Sequence, residues 1–349
     1  MAESEQSFSA IMIPSTTTSV SMPPPMPSDS NRAKNISSAN GMQFERELVK
    51  RGIMLERYQI PPDDGLDSLR SLLADKAKNP TSSVGSTVIH AMAIHDRAQN
   101  ESTFYLVLPF LFTEWLVGMT KLSFLLNAQW QITPLAVQQG QRDSGRSLAM
   151  PKPDLTIGYN TSNIHYSRGI WELSPDSLPV ACDVNLAFPF VTLEAKLELG
   201  MKQMQNAHNA AVMLRNLRML SEKAGNNPCH DFDKKVRVLT IGVGTHVVQV
   251  FCHWTTFIED IGVLQYCSSM LHSWYLTSES QWHETRAGLE KCVNWIAEEN
   301  WSWMIRDLQT FYQSPVTDQT SSSSSKRPGS DIVRSDDPES LPSKRAREV

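Results

Sequence analysis

Two short runs hold residues that could do chemistry together. Residues 188–200 read FPFVTLEAKLELG, an apolar stretch that ends with Glu194 and Lys196 separated only by Ala195. In a strand, residues i and i+2 project from the same face, whereas on a helix they diverge. A strand here therefore sets a carboxylate beside an ammonium, with Thr192 behind them. The second run is Pro153-Asp154, which precedes Leu155, Ile157 and Tyr159 at alternating positions, the pattern of another strand. If the two strands are neighbours, Asp154 and Glu194 can converge on one cation. A hard cation such as Mg²⁺ (or Mn²⁺) takes oxygen ligands, and one or two carboxylates with water and phosphate oxygens suffice. Lys196 beside it would orient or polarise an attacking water and offset charge on a phosphate.

These residues need elements to hold them. Residues 201–225, MKQMQNAHNAAVMLRNLRMLSEKAG, form the clearest helical run. Met204, Ala207, Ala211 and Leu214 make one apolar stripe, and Gly225-Asn226-Asn227-Pro228 stops it. VRVLTIGV and HVVQVFCHW read as two strands joined as a hairpin through Gly244-Thr245. Upstream, residues 42–58 and 65–79 read as short amphipathic helices. Residues 93–118 read as a further helix, broken or kinked near Pro109. WQITPLAV could be a strand, and the span from about 160 to 186 reads as loop. The stretch from about Ile261 to Tyr312 is expected to be helical, with Trp295, Trp301 and Trp303 in the core.

Pro153-Asp154 followed by Glu194-Ala195-Lys196 resembles the PD-(D/E)xK nuclease signature, most closely that of the fungal PD-(D/E)xK nuclease-like proteins. PKPDLTIGY and FPFVTLEAK carry the resemblance best. It implies an α/β (α+β mixed) fold: a restriction-endonuclease-like core of a mixed β-sheet flanked by helices, with helical N- and C-terminal additions. It also implies Mg²⁺-assisted phosphodiester hydrolysis in DNA or RNA. QNESTF resembles the helix that supplies the family's first acidic residue, which points to Glu101 as a further metal ligand, with Glu114 as a rival. The helix after the ExK strand often carries polar residues facing the site; Gln205 and His208 are the candidates for the pocket rim. Plainer roles stand beside these: a turn cap for Asp154, a strand-end ion pair for Glu194 and Lys196, a helix-dipole charge for Glu101, and solvated or structural roles for Gln205 and His208. Many members of this superfamily have lost catalysis. The alternative is therefore a catalytically inactive nuclease fold acting as a nucleic-acid- or protein-binding module.

Composition sets bounds. The 349 residues carry a net charge of −5 and a pI near 6.0, so the whole-chain basic signature of a nonspecific nucleic-acid binder is missing. Residues 1–42 and 314–349 are rich in Ser, Pro and polar residues and are expected to be disordered, leaving residues 43–313 as the nuclease-like domain. Five scattered cysteines without a CxxC pair point to reduced thiols and a nuclear or cytoplasmic location. The N-terminus has no signal-peptide pattern, and the most apolar run is interrupted by Pro109 and Glu114, so no membrane partner is expected. Lys326-Arg327 and Lys344-Arg345 with Arg347 form two basic clusters in the Ser-rich tail. They look like a nuclear localisation signal for an import receptor. A merely solubilising tail is the plainer reading.

Overall fold

The computed structural model describes residues 41–55, 66–75, 93, 108–130, 135–143, 145, 147–164, 185–196, 199–226, 229 and 231–313. Its elements in chain order are α1 (Gly41–Lys50), α2 (Leu66–Ala74), α3 (Leu108–Gly118), β1 (Leu122–Leu126), β2 (Leu155–Asn160), β3 (Leu186–Ala195), α4 (Leu199–Lys223), β4 (Val238–Val243), β5 (Val247–Ile258), β6 (Val263–Tyr275) and α5 (Glu279–Gln313). The six strands make one sheet in the order β1-β2-β3-β4-β5-β6. Every neighbouring pair is antiparallel except β3 and β4, which are parallel. A parallel pair cannot be closed by a tight turn and needs a crossover; α4 supplies it. The fold is thus a mixed α/β sheet with flanking helices.

β3 and β4 are buried along their whole lengths, as expected of central strands covered on both faces. Glu194 and Ala195 end β3, so the sheet's most enclosed strand delivers the acid. α4 packs over β3 and β4. α5 reaches the sheet elsewhere: Tyr159 of β2 donates from its hydroxyl to the Ala297 carbonyl of α5 at 2.8 Å.

Pro189 lies inside β3, where a proline cannot donate to the ladder. The β2–β3 register shifts between Ile157 and Tyr159, and Phe188 adopts a positive φ of 49°. The irregularity absorbs the proline. It also brings the chains close together: a Cβ on Gly158 would lie 2.7 Å from the Ala187 carbonyl oxygen. The register at the other end of the pair, Leu155 opposite Leu193, stays regular.

Residues 263–275 form strand β6 rather than part of a helix, and only the span from Glu279 onward is helical. Residues 131–134 of WQITPLAV lie outside the described residues, and a strand not expected from the sequence, β1, lies upstream of them. Trp130 follows it in irregular backbone, buried, with its indole N–H donating to Thr156 Oγ1 at 3.1 Å. The stripe of Met204, Ala207, Ala211 and Leu214 packs in or against the core as expected, but burial runs around the helix there: residues 206–214 are all buried, with Phe44 of α1 edge-on to His208 at 5.8 Å. The expected disordered ends fall outside the described residues, except that α1 already begins at Gly41. No helix among the described residues is long and apolar enough to cross a membrane.

Candidate functional site

Asp154 immediately precedes β2, and Glu194 is the penultimate residue of β3. Continuing the antiparallel register one step beyond Leu155 and Leu193 sets Asp154 across from Glu194. Residues opposite one another in such a pair share a face. Asp154 is anchored at three points. Its amide donates to the Leu193 carbonyl at 3.0 Å, its carbonyl accepts from the Asn127 amide at 2.9 Å, and its Oδ2 accepts from the Ala195 amide at 2.6 Å. The last bond ties the carboxylate of one strand directly to the backbone beside the other acid.

Both carboxylates are buried: Asp154 is 5% exposed and Glu194 3%. A buried charge is costly unless hydrogen-bonded or paired. The Ala195 amide serves Asp154, and Asn209 Nδ2 of α4 donates to Glu194 Oε1 at 2.8 Å. Lys196 follows the last residue of β3 and is half-buried. Its amide donates to the Val243 carbonyl at 3.0 Å, so the parallel pairing with β4 continues through it.

The helix that follows β3 contributes a residue that was not expected, Asn209. His208 is buried against Phe44, and burial, aided by Arg51 and Arg215, pushes its pKa down to about 3. Asn209 is the residue of this helix that reaches Glu194. Gln205 is half-buried and lies one helical turn before Asn209, on the same helix face. Asn209 could have been found from that spacing, had the polar run been read from Gln205 in steps of four. Glu101, the side chain of Glu114, and the basic tail residues Lys326, Arg327, Lys344, Arg345 and Arg347 lie outside the described residues.

The donor set suits a hard cation. Two carboxylates on adjacent strand ends are oxygen ligands of the required kind, and each has one oxygen oriented by a protein N–H, as metal-ligating carboxylates commonly do. Among the described residues no group of three or more His, Cys, Asp or Glu side chains gathers to hold a metal. Asp154 and Glu194 are the two acids that the described residues bring together; Glu101, the third candidate, lies outside them.

Fold and site together define an α/β domain whose central strands bring two buried acids and a lysine to one end of a mixed sheet. The chain belongs to the family described as Domain of unknown function (DUF7924), whose model matches residues 125–307. That span holds Asp154, Glu194, Lys196 and Asn209. No curated protein matches the chain.

Proposed function

We propose that this protein is a metal-dependent nuclease with a restriction-endonuclease-like core, hydrolysing phosphodiester bonds in DNA or RNA. The observation that carries the reading is the 2.6 Å bond from the Ala195 amide to Asp154 Oδ2, which joins the Pro-Asp strand to the Glu-x-Lys strand at the acids themselves. The similarity to the PD-(D/E)xK signature supports it. Asp154 and Glu194 would hold Mg²⁺ or Mn²⁺, which when bound would polarise the phosphate and lower the pKa of a coordinated water. Glu101 is the further acid that the resemblance suggests. Asn209 and the Ala195 amide fix the two carboxylates in place. Lys196 supplies positive charge where negative charge builds on the phosphate in the transition state. Gln205 would stand at the pocket rim. The basic tail clusters would carry the chain into the nucleus through an import receptor.

A second reading is a nuclease fold without catalysis, serving as a nucleic-acid- or protein-binding module. The depth of both acids favours it, since each carboxylate already accepts a protein hydrogen bond and would serve structure alone. Purified full-length protein incubated with plasmid, single-stranded DNA and RNA, with Mg²⁺, with Mn²⁺ and with EDTA, separates the two. Metal-dependent cleavage lost in Glu194→Gln supports the enzyme. Intact substrates under every condition, with the protein folded, support the module.

A further inference from the structure

Tyr159 lies five residues beyond Asp154, so it emerges on the opposite face of the sheet. It is also displaced by roughly 17 Å along the strand direction. A cavity of about 380 Å³ opens beside it, within the range of small-molecule sites. One wall is the turn between α3 and β1, which contributes Met119 and Lys121. The other is a face of α5 carrying Asn294, Glu298 and Trp301 at four- and three-residue steps.

The lining is mixed in a particular way. The indole of Trp301 is half-buried, with the Tyr159 ring 5.1 Å from it. The Lys121 ammonium stands over that indole, 5.6 Å from the ring centroid. Among the described residues neither Lys121 nor Glu298 has an ion-pair partner. The cavity therefore presents an aromatic plane, an unneutralised cation and an unneutralised carboxylate to whatever enters it.

We propose that this cavity binds a nucleoside monophosphate. The base stacks on the Trp301 indole, a contact that tolerates any base because each has a π-face. The ribose hydroxyls donate to the Glu298 carboxylate, which only accepts. The phosphate takes the Lys121 ammonium. The flexible lysine stem lets that ammonium leave the ring face as the base arrives. The Asn294 amide, donor and acceptor together, meets the base edge. The proposal does not rest on the nuclease reading, because the cavity shares no residue with the acid pair.

Isothermal titration of the full-length protein with AMP, UMP, adenosine and inorganic phosphate tests it. Both nucleotides should saturate one site, with adenosine and phosphate each binding more weakly. Lys121→Ala should bring AMP binding down to the adenosine level, and Trp301→Leu should weaken it roughly ten- to a hundredfold, the usual cost of losing a base stack. Thermal melts confirm that the variants are folded. Lys121 is exposed, so its variant keeps the test decisive if Trp301→Leu unfolds. Glu194→Gln should bind AMP as the unaltered chain does. No saturable binding of either nucleotide, equal affinity for phosphate alone, or AMP binding unchanged in Lys121→Ala would overturn the proposal. Loss of binding in a folded Glu194→Gln protein would overturn it too, by moving the ligand to the acid pair.

Discussion

Asn209 holds Glu194 from the crossover helix, donating its amide hydrogen at 2.8 Å to a carboxylate that is 3% exposed. The element that makes the β3–β4 pair parallel also orients the acid at the end of β3. Asn209→Ala should therefore destabilise the fold, because a buried carboxylate loses a donor. The cost of such a loss is about 1–3 kcal/mol, read as a lower midpoint in urea. Asn209→Asp should be worse at pH 8 than at pH 5, since two facing carboxylates repel only when both are ionised. Equal stability of Asn209→Ala and the unaltered chain would show that the bond contributes nothing.

Two buried histidines set an acid limit on the fold. Burial pushes His253 down to about 3, and burial with Arg51 and Arg215 does the same to His208. His253 also shares a 2.8 Å hydrogen bond with Thr240 Oγ1. Both rings stay neutral in the folded chain while the unfolded chain binds protons below about pH 6.5. Stability is therefore full above that value and falls as pH drops toward 3. At pH 5 each histidine should cost about 2 kcal/mol relative to neutral pH. Urea titrations at pH 7.5 and pH 5 measure the sum, and His253→Gln should flatten the dependence by about half.

The irregularity around Pro189 gives a sharper test of local geometry. Gly158→Ala would place a methyl group 2.7 Å from the Ala187 carbonyl oxygen and 2.8 Å from Leu186 Cδ2. Backbone cannot yield as a side-chain tip can, so the strands must shift. Overpacking of this kind costs about 1–3 kcal/mol. Thermal unfolding of the variant checks it, and an unchanged midpoint would mean that the two strands are free to move apart at this point.

How far the sequence could be read follows from where each element sits. β2, β3 and the β4–β5 hairpin were legible because central strands are short apolar runs with turn residues at their ends. The meeting of Asp154 and Glu194 followed once the two strands were taken as neighbours. β6 was not legible. It lies at the sheet edge with a mixed burial pattern, and its Ser, Gln and His residues break the alternation that marks a half-buried strand. Its pairing comes from β5, after a turn in which Gly262 takes a positive φ of 63°. α4 misled in another way. Asn206, His208 and Asn209 look solvated by type, yet all three are buried. Their burial depends on partners distant in sequence: α1, whose Phe44 meets His208, and the end of β3, where Asn209 meets Glu194. Trp303 is buried and Trp295 and Trp301 are packed against the core, as expected, but Trp301 also lines a cavity that the sequence did not reveal.

The last prediction separates the two acids from the lysine. Under the nuclease reading, Asp154 and Glu194 hold the cation and Lys196 acts on developing charge, so their losses should differ in kind. Asp154→Asn and Glu194→Gln should abolish cleavage and weaken Mn²⁺ binding, measured by calorimetry without substrate. Lys196→Ala should reduce cleavage on the order of a hundredfold or more, the usual cost of removing a group that stabilises the transition state. Mn²⁺ binding should survive that change, because an ammonium is not a ligand. Lys196→Arg keeps the charge but changes its shape and reach, and partial recovery there would point to charge rather than to a proton transfer. Cleavage unchanged in Glu194→Gln and Lys196→Ala would sink the site assignment. Loss of Mn²⁺ binding in Lys196→Ala, with the fold intact by circular dichroism, would leave the acids in place and tie the lysine to metal binding rather than to the transition state.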